Sequence, residues 1–256
     1  MTDSPHLSIV VPTYNEVERL EDFVRAVCTV LAEHRLHAEI IVVDDNSPDG
    51  TGALADRLAQ ELPVRVVHRA GKLGLGSAVM AGFAVAGGRL LGVMDADLSH
   101  PPSLIPALVG ALESSGSDVV VGSRYIPGGG TKNWPLSRAI MSAAACLAAR
   151  VLTPVRDAAS GFFVLRRDVV QDVVIKAAGF KICLELLVRG TARSVAEVPY
   201  VFTDRAAGQS KMSHREALGY LVQIWQLFLW QRREHRARLT YRCFSSEEAA
   251  RLGRPA

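Results

Sequence analysis

Short apolar runs rich in valine, isoleucine and leucine recur along the first half of the chain. Between them, apolar residues return every three or four positions. Five of the runs predict buried strands, at residues 7–11, 40–43, 64–67, 90–94 and 119–121. The stretches between them predict helices, and the apolar face of the first helix comprises Leu20, Phe23, Val24, Val27, Val30 and Leu31. This alternation predicts βαβ units, and therefore an α/β fold with a mostly parallel sheet flanked by helices.

The ends of the predicted elements carry further signals. Asn15 precedes the first helix and Glu18 follows three residues later, which predicts a capping box. The glycine run at 128–130 breaks the pattern and predicts a mobile loop. Beyond it we expect a helix at 136–152 and strands at 162–165 and 197–202. Residues 245–256 predict a loose end.

The C-terminal part of the chain has a different pattern. Residues 217–230 are apolar and aromatic but too few to span a bilayer, and the next eight residues include four arginines. Together with Trp225 and Trp230, this predicts a helix lying in a membrane interface, beside which the apolar helix at 136–152 could also dip. The alternative is a helix packed on the core. We therefore expect a main domain at 1–215 and a C-terminal amphipathic, basic segment at 216–256.

The composition narrows the classes of function. A chain of 256 residues, 49% of them hydrophobic, fits one α/β domain with an appendage. A formal net charge of +3 does not indicate nucleic-acid binding. The four cysteines lie far apart without metal-ligand spacing, which fits a reducing cytosol, and the polar N-terminus predicts no signal peptide. We expect a cytoplasmic protein without a membrane-spanning segment.

Carboxylates follow two of the predicted strands. Asp44 and Asp45 end the second strand, and Asp95 and Asp97 end the fourth. Ligands of open α/β sheets bind at the carboxyl ends of the strands, where these acids would converge. A Mg²⁺ ion commonly takes one or two protein carboxylates together with substrate phosphates. The pattern predicts a nucleotide and metal site, and the alternative is a pair of loop acids that cap the next helix.

Two further features suit phosphate groups. The glycine-rich turn at 71–76 lacks the residue order of a P-loop, so it is either a tight βα turn or a helix start whose amides help to hold a phosphate. Arg138 and Ser142 are spaced to share one helix face, and a guanidinium with a hydroxyl makes a phosphate cradle. Arg124 could reach the same place. The alternative for Arg138 is a solvated helix arginine.

Eight segments in the same order resemble glycosyltransferase family 2, and within it the dolichol-phosphate mannosyltransferases and polyprenol monophosphomannose synthases. The resemblance extends over about residues 7–215. The segments are 11–16, 43–51, 72–76, 94–101, 122–125, 133–138, 160–162 and 204–211.

The resemblance implies a catalytic domain of the GT-A fold that transfers mannose from GDP-mannose to polyprenyl phosphate with inversion, using Mg²⁺ or Mn²⁺. It implies a metal site at Asp95, Asp97 and Ser99, where many relatives have glutamine in place of Ser99, so contact through water is also open. It implies catalytic and acceptor-phosphate roles for Arg124, Arg138 and Ser142, with Asp97 also catalytic. The implied donor-binding residues are Pro12, Tyr14, Glu16, Asp44, Asp45, Arg69, Lys72, Asp95, Ala96, Asp97, Arg205 and Lys211.

Other features of the resemblance concern the acceptor and the membrane. Residues 157–162 resemble the segment that lines the reaction centre, and Arg205 and Lys211 suit a loop that closes over phosphates. No additional acid resembles a hydroxyl-activating base, and a phosphate acceptor needs none because it is already ionised. Relatives often carry transmembrane helices after this region, so we expect binding at the inner face of the membrane, with or without a separate membrane-protein partner. The alternatives are a UDP-sugar donor, such as UDP-glucose, and a non-catalytic nucleotide-sugar-binding partner of a membrane protein.

Overall fold

The apolar runs form the strands of a central sheet in the computed structural model, which describes residues 4–171, 173, 181–203, 214–234 and 238–255. The main sheet of this part of the chain contains eight strands: β1 (Leu7–Thr13), β2 (Ala38–Asp44), β3 (Val64–His68), β4 (Leu90–Val93), β5 (Val119–Ser123), β7 (Phe163–Arg166), β8 (Ser194–Pro199) and β10 (Thr240–Cys243). A small second sheet pairs β6 (Gly130–Lys132) with β9 (Val201–Thr203). The helices are α1 (Val17–Glu33), α2 (Thr51–Leu58), α3 (Leu75–Val85), α4 (Ile105–Ser115), α5 (Leu136–Ala149), α6 (Ile182–Arg189), α7 (His214–Arg233) and α8 (Ser246–Leu252).

The main sheet has the strand order β10-β8-β5-β7-β4-β1-β2-β3. All neighbouring pairs are parallel except those of β7, which is antiparallel to both β4 and β5. The predicted α/β fold with a mostly parallel sheet is thus confirmed. β1 pairs with β2 on one side and with β4 on the other, so the direction in which strands are added to the sheet reverses at β1. This reversal creates a crevice at the carboxyl end of β1, where open α/β sheets bind ligands.

The central strands are buried on both faces, which is why they read as continuous apolar runs. Val10 and Ile41 pack toward one layer of helices and Ile9 and Ile40 toward the other, and all four are essentially inaccessible. α1 belongs to the second layer, and its predicted apolar face is buried against the sheet except for Val30; its buried residues are Leu20, Phe23, Val24, Val27 and Leu31.

The predicted capping box of the first helix is wrong. Asn15 has a φ of 60°, a left-handed conformation, and its side chain does not cap the helix. The acceptors come from the turn that precedes α2, because Asp49 Oδ2 accepts from the Val17 N–H at 3.2 Å and Thr51 Oγ1 accepts from the Glu16 N–H at 2.9 Å. The β1–α1 and β2–α2 connections are therefore tied together at the carboxyl edge.

The glycine run at 128–130 was expected to be a mobile loop, but it leads into β6. Gly128 has a φ of 90°, and a Cβ on Gly129 would lie 2.5 Å from the backbone carbonyl oxygen of Ser123. Glycine is required here because the chain turns back against the end of β5.

The loose end expected at 245–256 is also wrong. β10 adds a parallel strand beside β8, and Ser245 and Glu248 form a capping box at the start of α8. Phe244 and Ala249 are buried in the core, and Leu252 packs against Gly110 of α4. The sequence of this segment is mostly polar, because α8 has only one short apolar face to bury. The helix was therefore not predicted.

α7 packs on the core along one side, and the membrane-interface alternative stays a prediction. Tyr220, Ile224 and Leu227 are buried in the core, whereas the opposite side exposes Leu221, Val222, Trp225 and Leu229. In the part of the chain that the structure describes, no helix is both long enough and apolar enough to cross a membrane. The domain boundary at 215 stays a prediction.

Candidate active site

The acid pair at the end of β4 lies in the crevice beside β1. The Asp95 carboxylate is 42% exposed. Asp97 Oδ1 accepts hydrogen bonds from the Ser99 N–H at 3.0 Å and the Ser99 hydroxyl at 2.5 Å, across Leu98, whose φ is 59°. The buried Ser99 hydroxyl therefore orients Asp97, and its role as a metal ligand stays a prediction.

His100 contacts the acid pair through a hydrogen bond from the Asp95 backbone. The sequence analysis did not identify this role. It is 2% exposed and stacks on Phe162 with ring centroids 5.1 Å apart. Burial lowers the pKa of His100, so the ring is neutral at pH 7. Because Nδ1 accepts from the Asp95 N–H at 3.2 Å, the ring proton resides on Nε2.

Gly161, in the segment 157–162, lies beside Asp95, and the role of this segment in lining the reaction centre stays a prediction. A Cβ on Gly161 would lie 3.3 Å from Asp95 Oδ2 and 3.2 Å from His100 Cε1. The segment reaches this edge because β7 runs antiparallel to β4, so the start of β7 meets the carboxyl end of β4. A larger residue at 161 would push the Asp95 carboxylate.

The acids at the end of β2 differ in role. Asp44 is buried and accepts from the Ser47 N–H at 3.0 Å and the Ser47 hydroxyl at 2.5 Å, so it shapes the turn. Asp45 forms an ion pair with Arg69 at 2.8 Å and accepts from the Leu73 N–H at 3.2 Å. It therefore anchors the glycine-rich turn beside the crevice.

Arg69 and Lys72 connect that turn to the rest of the predicted donor side. Arg69 Nη2 donates to Ser77 Oγ at 2.6 Å, which links Asp45 to the start of α3. Lys72 Nζ lies 4.2 Å from the centre of the exposed Tyr14 ring. A cation and an aromatic ring thus flank the mouth of the crevice.

The remaining predicted donor residues fall in three groups. Pro12 pairs with Val43 in the sheet, and Glu16 precedes α1 at the same edge. Ala96 is buried between the two acids of the β4 turn. Arg205 and Lys211 lie outside the described residues.

Arg124 follows β5 and is held by a fully buried carboxylate. Its Nε and Nη2 donate to the two Asp157 oxygens, both at 2.7 Å, and its backbone N–H donates to Asp157 Oδ2 at 2.9 Å. Burial acts to lower the pKa of Arg124, but the hydrogen bonds and charge of Asp157 outweigh it and raise that pKa. The guanidinium is therefore charged and fixed in orientation.

A second buried acid holds the loop that carries Asp157. Glu197, in the middle of β8, accepts from the N–H groups of Arg156 and Asp157 at 2.9 Å each. The Tyr241 hydroxyl donates to Glu197 Oε2 at 2.6 Å. A carboxylate inside an apolar strand needs such partners, and this is the sequence signal that points to Glu197.

Arg138 and Ser142 lie one turn apart in α5, as predicted. The Arg138 guanidinium stacks 4.3 Å from the Trp134 ring centre, and Ser142 lies beside the Tyr125 hydroxyl.

One aromatic cluster joins the acid pair to the two arginines. The Phe202 ring centre lies 5.8 Å from that of His100 and 5.3 Å from that of Trp134. The same ring is 5.7 Å from the Arg124 guanidinium carbon and 5.9 Å from that of Arg138. The cluster thus places the two arginines near the acid pair, an arrangement suited to a bound cation on one side and an anion on the other.

The profile of Glycosyl transferase family 2 matches residues 8–174. The chain belongs to this family. Its matched region contains the acid pair, Arg124, Arg138 and Asp157, whereas β8 to α8 lie beyond it.

Family 2 relatives with named activities are similar over most of this chain. It is 43% identical to a dolichol-phosphate mannosyltransferase of Pyrococcus furiosus over 88% of its length and 64% of the relative's, so it spans less than two thirds of that protein. It is 42% identical to a polyprenol monophosphomannose synthase of Mycolicibacterium smegmatis, over 85% of each chain. It is 38% identical to a dolichol-phosphate mannosyltransferase of Saccharomyces cerevisiae, over 88% of this chain and 87% of the relative.

Solved structures share the family 2 fold. A mannosyltransferase from Pyrobaculum calidifontis, in complex with GDP-Man and Mn²⁺, has a TM-score of 0.62 at 20% identity, over 92% of this chain and 66% of that one. A glucosyl-3-phosphoglycerate synthase from Mycobacterium tuberculosis, in complex with Mn²⁺, UDP and product, has a TM-score of 0.63 at 24% identity, over 89% and 80%. At these identities the likeness establishes the GT-A fold.

Proposed function

We propose that this protein transfers mannose from GDP-mannose to the phosphate of a polyprenyl phosphate, with inversion at the anomeric carbon. The observation that carries the proposal is the position of the Phe202 ring, which lies 5.8 Å from the His100 ring beside Asp95 and within 5.7 Å and 5.9 Å of the Arg124 and Arg138 guanidinium carbons. The names of relatives at 38–43% identity support the same reaction.

On the donor side, Asp95 and Asp97 would hold Mg²⁺ or Mn²⁺, with Ser99 orienting Asp97. The residues fit such an ion, because the Asp95 carboxylate is 42% exposed and Asp97 follows it in the same turn. The described residues contain no group of three or more His, Cys, Asp or Glu side chains that could hold a metal, so substrate phosphates would supply the remaining ligands. Two carboxylates with substrate phosphates are a usual Mg²⁺ environment. When bound, the ion supplies charge neutralisation for the leaving diphosphate.

On the acceptor side, the chain has to position an anion rather than activate a hydroxyl. A phosphate monoester is largely ionised at neutral pH, so attack needs no general base. Asp157 accepts from Nε and Nη2 of Arg124 and leaves donors on the other side of the guanidinium for a phosphate. Arg138 and Ser142 would complete the cradle and fix the phosphate in line with the anomeric carbon.

The surface beside this cradle suits a lipid. α5 carries Arg138 and Ser142, and its outer side exposes Leu136, Ile140 and Leu147. α7 contacts α5 through the Tyr220 hydroxyl, which donates to the Ala145 carbonyl at 3.3 Å, and exposes Trp225 beside Leu221, Val222 and Leu229. Arg232 and Arg233 end α7. An apolar surface with a basic edge binds the interface of an anionic membrane, here the inner face, with or without a membrane-protein partner.

Vesicle flotation tests this surface. Trp225→Ser should weaken binding to vesicles that contain anionic phospholipid roughly tenfold, because the 61% exposed indole would be lost from the interface. Val85→Ser, an exposed apolar change at the end of α3, is the matched control and should not alter binding. Equal flotation of both variants would contradict the assignment of the surface.

The reaction is tested with radiolabelled GDP-mannose and, in parallel, UDP-glucose, using a short polyprenyl phosphate in detergent with Mg²⁺. Lipid-linked sugar from GDP-mannose alone is the expected outcome. Product from UDP-glucose alone would keep the chemistry and replace the donor. Nucleotide binding without any product would instead favour a non-catalytic binding module.

A further inference from the structure

A buried hydrogen-bond chain connects β10 to Arg124. It runs from the Tyr241 hydroxyl to Glu197 at 2.6 Å, from the backbone of Asp157 to Glu197 at 2.9 Å, and from the Arg124 guanidinium to Asp157 at 2.7 Å. We propose that Tyr241 is a positioning residue that sets the orientation of Arg124 through Glu197 and Asp157. The proposal relies on the proposed function only in taking Arg124 to hold the acceptor phosphate.

The Glu197 carboxylate is the centre of this chain. It is fully buried, and two of its three described donors are consecutive backbone N–H groups, at 156 and 157. A shift of the carboxylate would therefore move the backbone of the loop and the Asp157 side chain with it. The third donor is the Tyr241 hydroxyl, which sets where the carboxylate rests.

The Tyr241 hydroxyl is suited to this role. Burial and its hydrogen bond to Glu197 raise the pKa of Tyr241, so the phenol keeps its proton at any physiological pH. β10 places Tyr241 in parallel register opposite Val195 of β8, and the next residue, Arg242, lies opposite Ala196. The hydrogen bond thus comes from an ordered strand at the sheet edge.

A second contact links the C-terminal segment to the same region. Ser246 Oγ, at the start of α8, occupies the space that a Cβ on Gly128 would need. Gly129 packs directly against the backbone of Ser123 and Arg124. The segment 240–252 therefore supports Arg124 from two sides, although it lies beyond the region that the family profile matches.

The test removes one hydroxyl. Tyr241→Phe keeps the ring and should lower kcat/KM for polyprenyl phosphate about tenfold, while the Kd for GDP, measured by calorimetry, stays unchanged. Arg242→Ala is the matched control on the same strand, because its guanidinium pairs with the exposed Glu248 at 3.4 Å, and should change neither constant. By NMR, the Arg124 Nε–H should exchange with water roughly tenfold faster in Tyr241→Phe than in the wild type.

Two results would overturn the proposal: unchanged acceptor kinetics and exchange in Tyr241→Phe, or the same loss in Arg242→Ala as in Tyr241→Phe. The second would mean that β10 contributes general stability. If the wild type transferred no mannose at all, the proposed function would fail while the NMR comparison still decides the hydrogen-bond chain. Faster Arg124 exchange in Tyr241→Phe would then support it, and equal exchange would refute it.

Discussion

Asp95 and Asp157 lie at the same edge of the sheet in opposite environments. Asp95 is 42% exposed in the crevice, whereas Asp157 is fully buried and accepts three hydrogen bonds from Arg124. A buried carboxylate is costly unless it is paired, so Asp157 is committed to its arginine. An accessible carboxylate can instead bind a cation that arrives with a substrate. The same type of side chain is thus open to a ligand at Asp95, whereas at Asp157 it orients another side chain.

The accessible acid pair should show the largest effect on chemistry. Asp97→Ala removes half of the predicted metal site, and we expect transfer to fall at least about 10³-fold, or ~4 kcal/mol of transition-state stabilisation. The measurement is initial rate against Mn²⁺ concentration. The thermal unfolding temperature should change little. If the variant kept a tenth of wild-type activity, the assignment of Asp97 to the metal site would be wrong.

The buried acid should affect folding as well as activity. Asp157→Asn leaves the Arg124 charge without its counter-ion, and we expect unfolding free energy to fall by roughly 3 kcal/mol, measured by urea denaturation. Asp56→Asn, which loses only an exposed pair with His68, is the control and should stay within about 0.5 kcal/mol of wild type. If both variants were equally stable, the buried pair of Asp157 would contribute no more to stability than an exposed pair, and this prediction would be wrong.

The two arginines sharpen the comparison further, because Arg124 is held by a carboxylate and Arg138 stacks on a ring. Arg138→Ala should lower kcat/KM for the lipid about 30-fold, or ~2 kcal/mol, with the Kd for GDP unchanged. Arg138→Lys should restore part of the loss, since it keeps the charge but not the planar fork. Arg150→Ala, an exposed change just after the same helix, should have no effect. Weaker GDP binding in Arg138→Ala would place this residue on the donor side.

The first half of the chain followed its local pattern closely. All five predicted strands up to β5 formed, with ends within two residues of those expected, because a buried parallel strand is a continuous apolar run. The acids after β2 and β4 therefore lie at the same edge of the sheet, on either side of β1. The cap of α1 could not be predicted, because Asp49 comes from another connection.

The structure of the second half depends on the direction of its strands and on contacts between residues far apart in the sequence. The strand predicted at 162–165 forms at Phe163–Arg166, but no local signal indicates that it runs antiparallel between β4 and β5. The polar stretch at 240–252 gives little sign of β10 and α8. The C-terminal helix was ambiguous for a physical reason, since it has one apolar side in the core and another exposed.

The sequence by itself determined the fold class, the family, and the acid pair at the end of β4, because strand burial and the turn after it are local properties. Only the tertiary structure decided that Asp157 holds Arg124, that Glu197 holds Asp157, and that Tyr241 holds Glu197. These partners are 33 to 44 residues apart in the chain. Their meeting depends on the reversal of β7 and on the edge position of β10, which are set by how the whole chain packs.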